Sequence, residues 1–347
     1  MSPTITNSQM PSDADFDLQS WLKEIEGAES LMTEVETKAD SLEAKVDALL
    51  REVTLPPNQD TSKTEPQNEP KKEETLPKRT NGPLFVMHHG AGSSALTFGL
   101  VAKQIKQLTQ GECGVMALDC RGHGATKTTH TDFSLKTLST DLIQLIHATI
   151  PESQDIVLVG HSMGGSVVVE VAHQRILTNT LGVAVLDVVE GSAMQDLVSM
   201  KRILSSRPKR FESDEHAIAW SMQSNTLRNL ESARLSIPAL LDAPTDTSQW
   251  TWITDLESTE PFWQEWFEGL SQKFLSFPTA KLLLLAGTDT LDKPLMIAQM
   301  QGKFQLDIFP ESGHFLQEDV PSKTAMCLVE FWKRNRRLVL PPKVQVK

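Results

Sequence analysis

The sequence predicts an α/β fold: a mostly parallel sheet with helices on both faces and a helical cap, preceded by an N-terminal coiled-coil helix and a linker. From Pro83 onward, short apolar runs alternate with longer stretches of helical pattern. Such runs are typical of parallel strands that are buried on both faces. Before Pro83, the chain either follows a heptad pattern or is rich in proline. We therefore expect an arm over residues 1–53, a disordered linker over 54–82 and an α/β domain over 83–347.

The N-terminal arm carries an apolar stripe at spacings of three and four residues, a pattern that predicts a coiled-coil helix. The stripe consists of Leu18, Trp21, Ile25, Ala28, Met32, Val35, Ala39, Leu42, Val46, Leu49 and Val53. The arm also holds 4 Lys and Arg against 12 Asp and Glu, so it carries most of the net charge of -12. We expect residues 18–53 to pair with a partner helix, either a second copy or a different chain. A lone acidic helix is the alternative.

The linker, residues 54–82, contains five Pro and ten charged residues but only two apolar side chains, Leu55 and Leu76. A segment of this composition buries too little apolar surface to offset the entropy lost on ordering. We expect it to be flexible.

Six apolar runs in the third segment have the length of strands. They cover residues 84–88, 114–118, 156–160, 183–188, 282–286 and 304–309. A mostly helical stretch with five Trp interrupts this rhythm at about residues 191–280. We interpret that stretch as a cap over the carboxyl edge of the sheet.

Composition argues against several classes of protein. No apolar run approaches the roughly 18 residues that a bilayer requires, and the N-terminus lacks the order of a secretory signal. Cys113, Cys120 and Cys327 have neither disulfide-framework nor zinc-site spacing. The net charge of -12 disfavours binding to nucleic acid. We expect a cytoplasmic or nuclear protein that binds neither nucleic acid nor membrane.

The strongest motif, G-x-S-x-G, covers residues 160–164 between a predicted strand and a predicted helix. In this context it is the nucleophile elbow of an α/β-hydrolase, in which a strained turn exposes the serine hydroxyl above the sheet. The motif therefore predicts that residues 83–347 form an α/β-hydrolase catalytic domain with Ser162 as its nucleophile.

A serine nucleophile needs a base and an acid that orients the base. His314 follows the last predicted strand, which matches the chain order Ser, acid, His of this fold. The acid is open on sequence order alone: Asp187 follows one strand, whereas Asp289 and Asp292 follow the next.

The oxyanion of an ester-hydrolysis intermediate requires two N–H donors. We expect them from the backbone of Met163, the residue after the nucleophile, and of Ala91, in the small-residue turn after the first strand. That turn lacks the pattern of a phosphate-binding loop.

Several segments outside the shared hydrolase elements resemble the protein phosphatase methylesterases. They are residues 186–194, 207–209, 228–234, 281–287, 291–293 and 297–305. The resemblance implies removal of the methyl group from the C-terminal leucine ester of the catalytic subunit of type-2A protein phosphatases. It also implies Asp187 rather than Asp292 as the acid, and no metal or organic cofactor.

The arm is not part of that family pattern. Two other functions stay open from the sequence: a hydrolase of small esters or lipids, and a non-catalytic adaptor that binds a phosphatase. Reaction of Ser162 with a fluorophosphonate would separate an enzyme from an adaptor.

Overall fold

The structure is a computed structural model that describes residues 81–242, 249–287 and 291–336. The arm predicted over residues 1–53 and nearly all of the linker predicted over 54–82 lie outside these ranges. Within them, no helix is both long enough and apolar enough to cross a membrane.

A six-stranded parallel sheet forms the centre of the domain, which confirms the predicted fold class. The strands of the described residues, including three that form a separate small sheet, are numbered in chain order. They are β1 (Leu84–His88), β2 (Gly114–Leu118), β3 (Ile156–His161), β4 (Thr180–Leu186), β5 (Arg210–Phe211), β6 (Leu241–Asp242), β7 (Trp250–Trp252), β8 (Ala280–Leu285) and β9 (Gln305–Ile308). The large sheet has the order β2-β1-β3-β4-β8-β9. Each of its strands coincides with one of the six apolar runs, with ends that differ by up to three residues.

The helices alternate with these strands along the chain. They are α1 (Gly99–Leu108), α2 (Leu135–Thr149), α3 (Met163–Gln174), α4 (Glu190–Ser206), α5 (Asp214–Gln223), α6 (Leu230–Ser236), α7 (Trp263–Phe267), α8 (Leu270–Ser276), α9 (Lys293–Met300), α10 (Leu316–Asp319) and α11 (Pro321–Asn335). Three short 3₁₀ helices cover Ala95–Phe98, Ile237–Leu240 and Glu257–Phe262.

Alternate strand residues point to opposite sides of the sheet. Because the residues on both sides are apolar, helices cover both faces. Val86 and Leu158 pack in one core cluster with residues of α2 and α3. Phe85 and Val157 pack in the other cluster with residues of α1 and α11. The near-continuous apolar strands of the sequence are thus explained by burial on two sides.

The cap contains a small sheet as well as helices. Strands β5, β7 and β6 pair antiparallel in that order, and each has only two or three residues. The sequence predicts a mostly helical cap and does not indicate this sheet, because strands this short leave no period-two pattern. Phe211, Leu227 and Ile237 belong to a separate apolar core within this region.

The parallel register brings several strand ends to one edge of the sheet. His88 lies opposite Gly160, and His161 lies opposite Leu186. Leu186 in turn pairs with Leu284 of β8. The residues that follow these strands therefore emerge side by side, as ligand-binding residues do in open α/β sheets.

Candidate active site

Ser162 occupies a strained turn between β3 and α3. Its φ of 53° and ψ of -123° lie outside the regions that non-glycine residues commonly adopt. The Ser162 N–H donates to Leu186 O at 3.0 Å, which ties the turn to the end of β4. This geometry is that of the predicted nucleophile elbow.

The glycines of the motif allow the elbow to pack tightly. A Cβ atom added to Gly160 would lie 2.1 Å from Gly164 O, and one added to Gly164 would lie 2.2 Å from His88 O. A Cβ atom on Gly165 would lie 2.6 Å from Val188. Because two of these neighbours are backbone atoms, a side chain at Gly160 or Gly164 would force the main chain to move.

The structure brings Asp187 and His314 into contact. Nδ1 of His314 lies 2.8 Å from Oδ2 of Asp187. The other carboxylate oxygen of Asp187 accepts the N–H of Ala286 at 2.8 Å. Asp187 also has a positive φ of 50°, and its own N–H donates to Leu284 O. The carboxylate is therefore held between β4 and β8 with one oxygen directed at the imidazole.

Two opposing effects act on the carboxyl group of Asp187. Burial raises its pKa, whereas the hydrogen bond and charge of His314, together with the hydrogen bond from the Ala286 N–H, lower it more. The net result is a pKa below the ordinary value, so the group is ionised at neutral pH. An ionised carboxylate at Nδ1 favours the His314 tautomer that leaves Nε2 free to accept a proton.

Asp292, the alternative acid, has a different role. Its side chain accepts the N–H of Leu295 at 3.0 Å and thereby caps the N-terminus of α9. It also accepts a hydrogen bond from Ser271 Oγ. Asp289 lies outside the described residues.

Ser162, Asp187 and His314 all line one cavity of about 460 Å³. Within the described chain, no hydrogen bond joins Ser162 Oγ to His314; such bonds often tighten only when substrate binds. Apolar side chains from α4 and its neighbours form much of the remaining wall: Val188, Val189, Ala193, Leu197, Met200, Ile203, Phe267 and Leu285.

The two predicted oxyanion donors flank Ser162. Met163 is the first residue of α3, where backbone N–H groups have no partner inside the helix. The turn that carries Ala91 lies close to Ser162, since a Cβ atom added to Gly90 in this turn would lie 3.0 Å from Cβ of Ser162. The N–H of Ala91 makes no hydrogen bond to any described residue. The role of both amides as oxyanion donors stays a prediction.

His123 fixes the turn that carries Ala91. Its Nε2 accepts the N–H of Gly92 at 2.9 Å, while Nδ1 lies 2.9 Å from Arg121 O. Because a carbonyl oxygen can only accept, Nδ1 carries the proton. Burial lowers the pKa of His123, which keeps the ring neutral and Nε2 able to accept.

His161 supports His314 in a way that the sequence did not predict. Its Nε2 lies 2.8 Å from the backbone oxygen of His314, and the two ring centroids are 4.7 Å apart. Burial and the nearby charge of His314 lower the pKa of His161 to about 3. The neutral ring therefore donates from Nε2 and anchors the loop that carries His314. A glycine-flanked histidine was the available signal, but the sequence does not indicate its partner 153 residues away.

Among residues 81–242, 249–287 and 291–336, no three His, Cys, Asp or Glu side chains are grouped so that they could hold a metal ion. The chemistry available at this site is that of a hydroxyl group, an imidazole, a carboxylate and backbone N–H donors.

Comparisons with known proteins agree with this architecture. Residues 85–325 match the alpha/beta hydrolase family. Among solved structures, E-2-(acetamidomethylene)succinate hydrolase has a TM-score of 0.61 at 16% identity and covers 74% of this chain and 93% of its own. An esterase of Mycobacterium tuberculosis has a TM-score of 0.57 at 19% identity, with coverages of 73% and 86%. At these identities the structures support the fold alone.

Sequence relatives are much closer. Protein phosphatase methylesterase 1 of Aspergillus fumigatus is 52% identical over an alignment of 287 residues, and the match covers 77% of this chain and 68% of that protein. The Aspergillus oryzae protein of that name is 54% identical, with coverages of 77% and 67%. The Schizosaccharomyces pombe protein is 46% identical, with coverages of 78% and 80%.

The fold, the elbow and the matched residues define the chain as an alpha/beta hydrolase. Within that class, its sequence relatives show that it belongs to the protein phosphatase methylesterase family.

Proposed function

We propose that the protein is a serine carboxylesterase that hydrolyses the C-terminal leucine methyl ester of the catalytic subunit of a type-2A protein phosphatase. The observation that carries this proposal is the grouping of Ser162, Asp187 and His314 around one cavity. Relatives about half identical to this chain are named as protein phosphatase methylesterases, which supports the choice of substrate.

The reaction begins with proton transfer from Ser162 Oγ to His314 Nε2 as the oxygen attacks the ester carbonyl. Asp187 holds the imidazole and stabilises its charged form. Methanol leaves with the proton from His314, and an acyl-enzyme remains on Ser162. Water then attacks the acyl group with His314 as the base, and the free carboxylate of the leucine is released.

The amides of Met163 and Ala91 bind the oxygen that becomes negative in each tetrahedral intermediate. Donors of this kind stabilise the transition state more than the ground state, and each is worth roughly 10²–10³ in rate. The strained turn at Ser162 and the His123 contact to Gly92 hold these amides in place before the substrate arrives.

The cavity also suits the leucine side chain. Leu197, Met200 and Phe267 line it together with other apolar residues, and its volume of about 460 Å³ leaves room for a leucyl group beside the ester. Burial of a leucine side chain stabilises a complex by about 1.5–3 kcal/mol. An apolar C-terminal residue therefore fits the site better than a charged one.

The direct test is incubation with the methylated phosphatase catalytic subunit, followed by mass spectrometry of its C-terminal peptide. Loss of 14 Da, about the mass of one CH₂ group, together with release of methanol, is the expected result. A Ser162→Ala variant serves as the control. If wild-type protein leaves the ester intact but hydrolyses short-chain esters, the phosphatase is not the substrate.

The proposal also covers the cellular location of the protein and the partner of its N-terminal arm. Cys113, Cys120 and Cys327 are all free thiols in the structure, which supports a reducing compartment, cytoplasmic or nuclear. Imaging of a tagged full-length chain tests the location.

The apolar stripe over residues 18–53 supports a helical partner for the arm. Crosslinking of the intact protein would identify this partner as a second copy or another chain.

A further inference from the structure

A second cavity of about 300 Å³ lies at the C-terminal end of α4. Its lining includes Leu204, Arg207, Lys209, Trp252 and Leu256. It is separate from the cavity that contains Ser162, and no step proposed above uses it.

Arg207 is the central side chain of this cavity. Its guanidinium carbon lies 3.3 Å from the centroid of the Trp252 ring, in a stacked cation–π contact. Trp252 is itself fixed because its Nε1–H donates to Pro208 O at 2.7 Å. The position of the guanidinium is therefore set before any ligand arrives.

No described carboxylate forms an ion pair with this guanidinium. In the described part of the chain, the guanidinium of Arg207 makes neither a hydrogen bond nor an ion pair, although it offers five N–H donors. The backbone N–H of Arg207 donates to Leu204 O at 3.2 Å. Burial alone lowers its pKa to about 10, so it stays charged at neutral pH. Partial burial of a charge is costly without a partner, and an anion that enters the cavity would supply one.

Two carboxylates, those of Asp255 and Glu257, also line the cavity. Asp255 accepts the N–H groups of Glu257 and Ser258 at 3.1 and 3.3 Å. Glu257 forms no ion pair with Arg207 among the described contacts. Lys209, exposed at the same cavity, adds a second positive charge. The lining thus carries two positive and two negative side chains, but none of the described carboxylates forms an ion pair with Arg207.

This cavity lies next to the candidate active site. A Cβ atom added to Gly92, in the oxyanion turn, would lie 2.6 Å from Cδ1 of Leu256. On the other side, Leu204 follows Ile203, which lines the cavity of Ser162. Both cavities thus share α4 as a wall, and the oxyanion turn adjoins both.

We propose that the Arg207 cavity is a substrate subsite that binds an anionic side chain of the polypeptide tail, upstream of the esterified C-terminal residue. This inference rests on the proposed function, in which a polypeptide tail enters the Ser162 cavity. An extended chain advances about 3.3–3.6 Å per residue, so the separation of the two cavities determines which upstream position reaches Arg207. A carboxylate or a phosphate group satisfies the guanidinium in the same way, through paired N–H donors.

The test uses full-length protein and a series of neutral peptides that end in leucine methyl ester. In each peptide a single Glu, or a single phosphoserine, is placed at one of the five positions upstream of the leucine. We expect one position, or two adjacent ones, to lower KM by about tenfold relative to the neutral peptide. We expect about 0.5 M salt to weaken this preference, because the site is partly exposed. A flat positional profile for wild-type protein would overturn the proposal whether or not any variant folds.

Variants then assign the effect to Arg207. Arg207→Gln should remove the ratio between anionic and neutral peptides, whereas Arg207→Lys should retain part of it. Arg210→Gln is the matched control, since Arg210 is exposed and contacts only Gln249 among the described residues through its side chain. An unchanged ratio in a folded Arg207→Gln protein would show that Arg207 serves only to stack on Trp252. Hydrolysis of the neutral peptide separately reports on the proposed esterase activity, so the two proposals can fail independently.

Discussion

His314 Nδ1 lies 2.8 Å from Oδ2 of Asp187, and the second oxygen of that carboxylate is occupied by the N–H of Ala286. The Asp187 carboxylate therefore has one oxygen for the main chain and one for the imidazole. This arrangement fixes the ring orientation and favours one tautomer, and it supports the proposal that Asp187 is the orienting acid.

Replacing Asp187 with Asn should lower kcat by about 10⁴, because an amide at this position favours the wrong tautomer of His314. Asp292→Asn is the matched control. An Asn side chain can still cap α9 through Leu295, so we expect close to wild-type activity from it. Steady-state kinetics on a leucine methyl ester peptide measure kcat of both variants. A larger loss of kcat in Asp292→Asn than in Asp187→Asn would assign the acid to Asp292.

Ser162→Ala and His314→Ala should each abolish ester hydrolysis, and the double variant should be no worse than either alone. The reason is that the two groups act in the same proton transfer, so the loss of one makes the other useless. Single-turnover assays of the three variants measure this. Losses that multiply would mean that the two residues serve separate steps.

Gly164→Ala should destabilise the elbow, since its Cβ atom would lie 2.2 Å from His88 O and 2.5 Å from His89 O. Overpacking against immobile backbone typically costs about 1–3 kcal/mol of unfolding free energy. Gly287→Ala is the control, because no atom of the described residues lies within 4 Å of a Cβ atom at that position. Thermal unfolding of both variants tests this. Equal melting temperatures would show that the turn accommodates the added methyl group without loss of stability.

Local patterns in the sequence predicted the six strands of the large sheet and the elbow at Ser162. They succeeded because strand burial and the glycine-lined turn each depend on residues close together in the chain. The choice between Asp187 and Asp292 did not follow from local pattern, as both come directly after strands. It depends on the backbone of Asp187, whose positive φ turns the carboxylate toward His314, and on Asp292 being used as a helix cap.

Contacts between distant segments were also beyond sequence pattern. The stack of Arg207 on Trp252 joins residues from two parts of the cap, and neither belongs to a periodic motif. The strands of the small sheet have two or three residues, which is too short for alternation to be recognised. Resemblance to a family pointed to residues 207–209 without indicating what they do.

Deleting residues 1–80 should leave hydrolysis of a small activated ester nearly unchanged. The reason is that the linker over residues 54–82 has only two apolar side chains with which to dock the arm. Among the described residues, both core clusters of the large sheet begin at Leu84. Kinetics and thermal unfolding of the truncated and full-length proteins test this. A truncated protein that is insoluble, or that melts far below the full-length chain, would show that the domain depends on the deleted region.

Glu318 is a buried carboxyl group close to His314 in the chain. Its two oxygens accept hydrogen bonds from Thr97 Oγ1 and Ser236 Oγ, each at 2.5 Å. Burial raises its pKa from the ordinary 4.5 to about 7, despite the opposing effect of these hydroxyl groups. The site thus links the 3₁₀ helix after the oxyanion turn to α6 and α10.

This raised pKa sets the sign of a pH effect on stability. Between pH 4.5 and about 7, the folded protein retains a proton on Glu318 that the unfolded chain has lost. The free energy of unfolding therefore falls as pH rises through this window, by up to about 3 kcal/mol, and the contribution is constant above it.

Glu318→Gln should abolish this decline in the free energy of unfolding, because the amide is neutral at every pH. Glu311→Gln is the control: Glu311 is exposed, and its bond to Lys323 keeps its pKa below the ordinary value. Denaturant titrations from pH 5 to 8 measure the slopes, and parallel profiles for wild-type and Glu318→Gln proteins would refute the assignment.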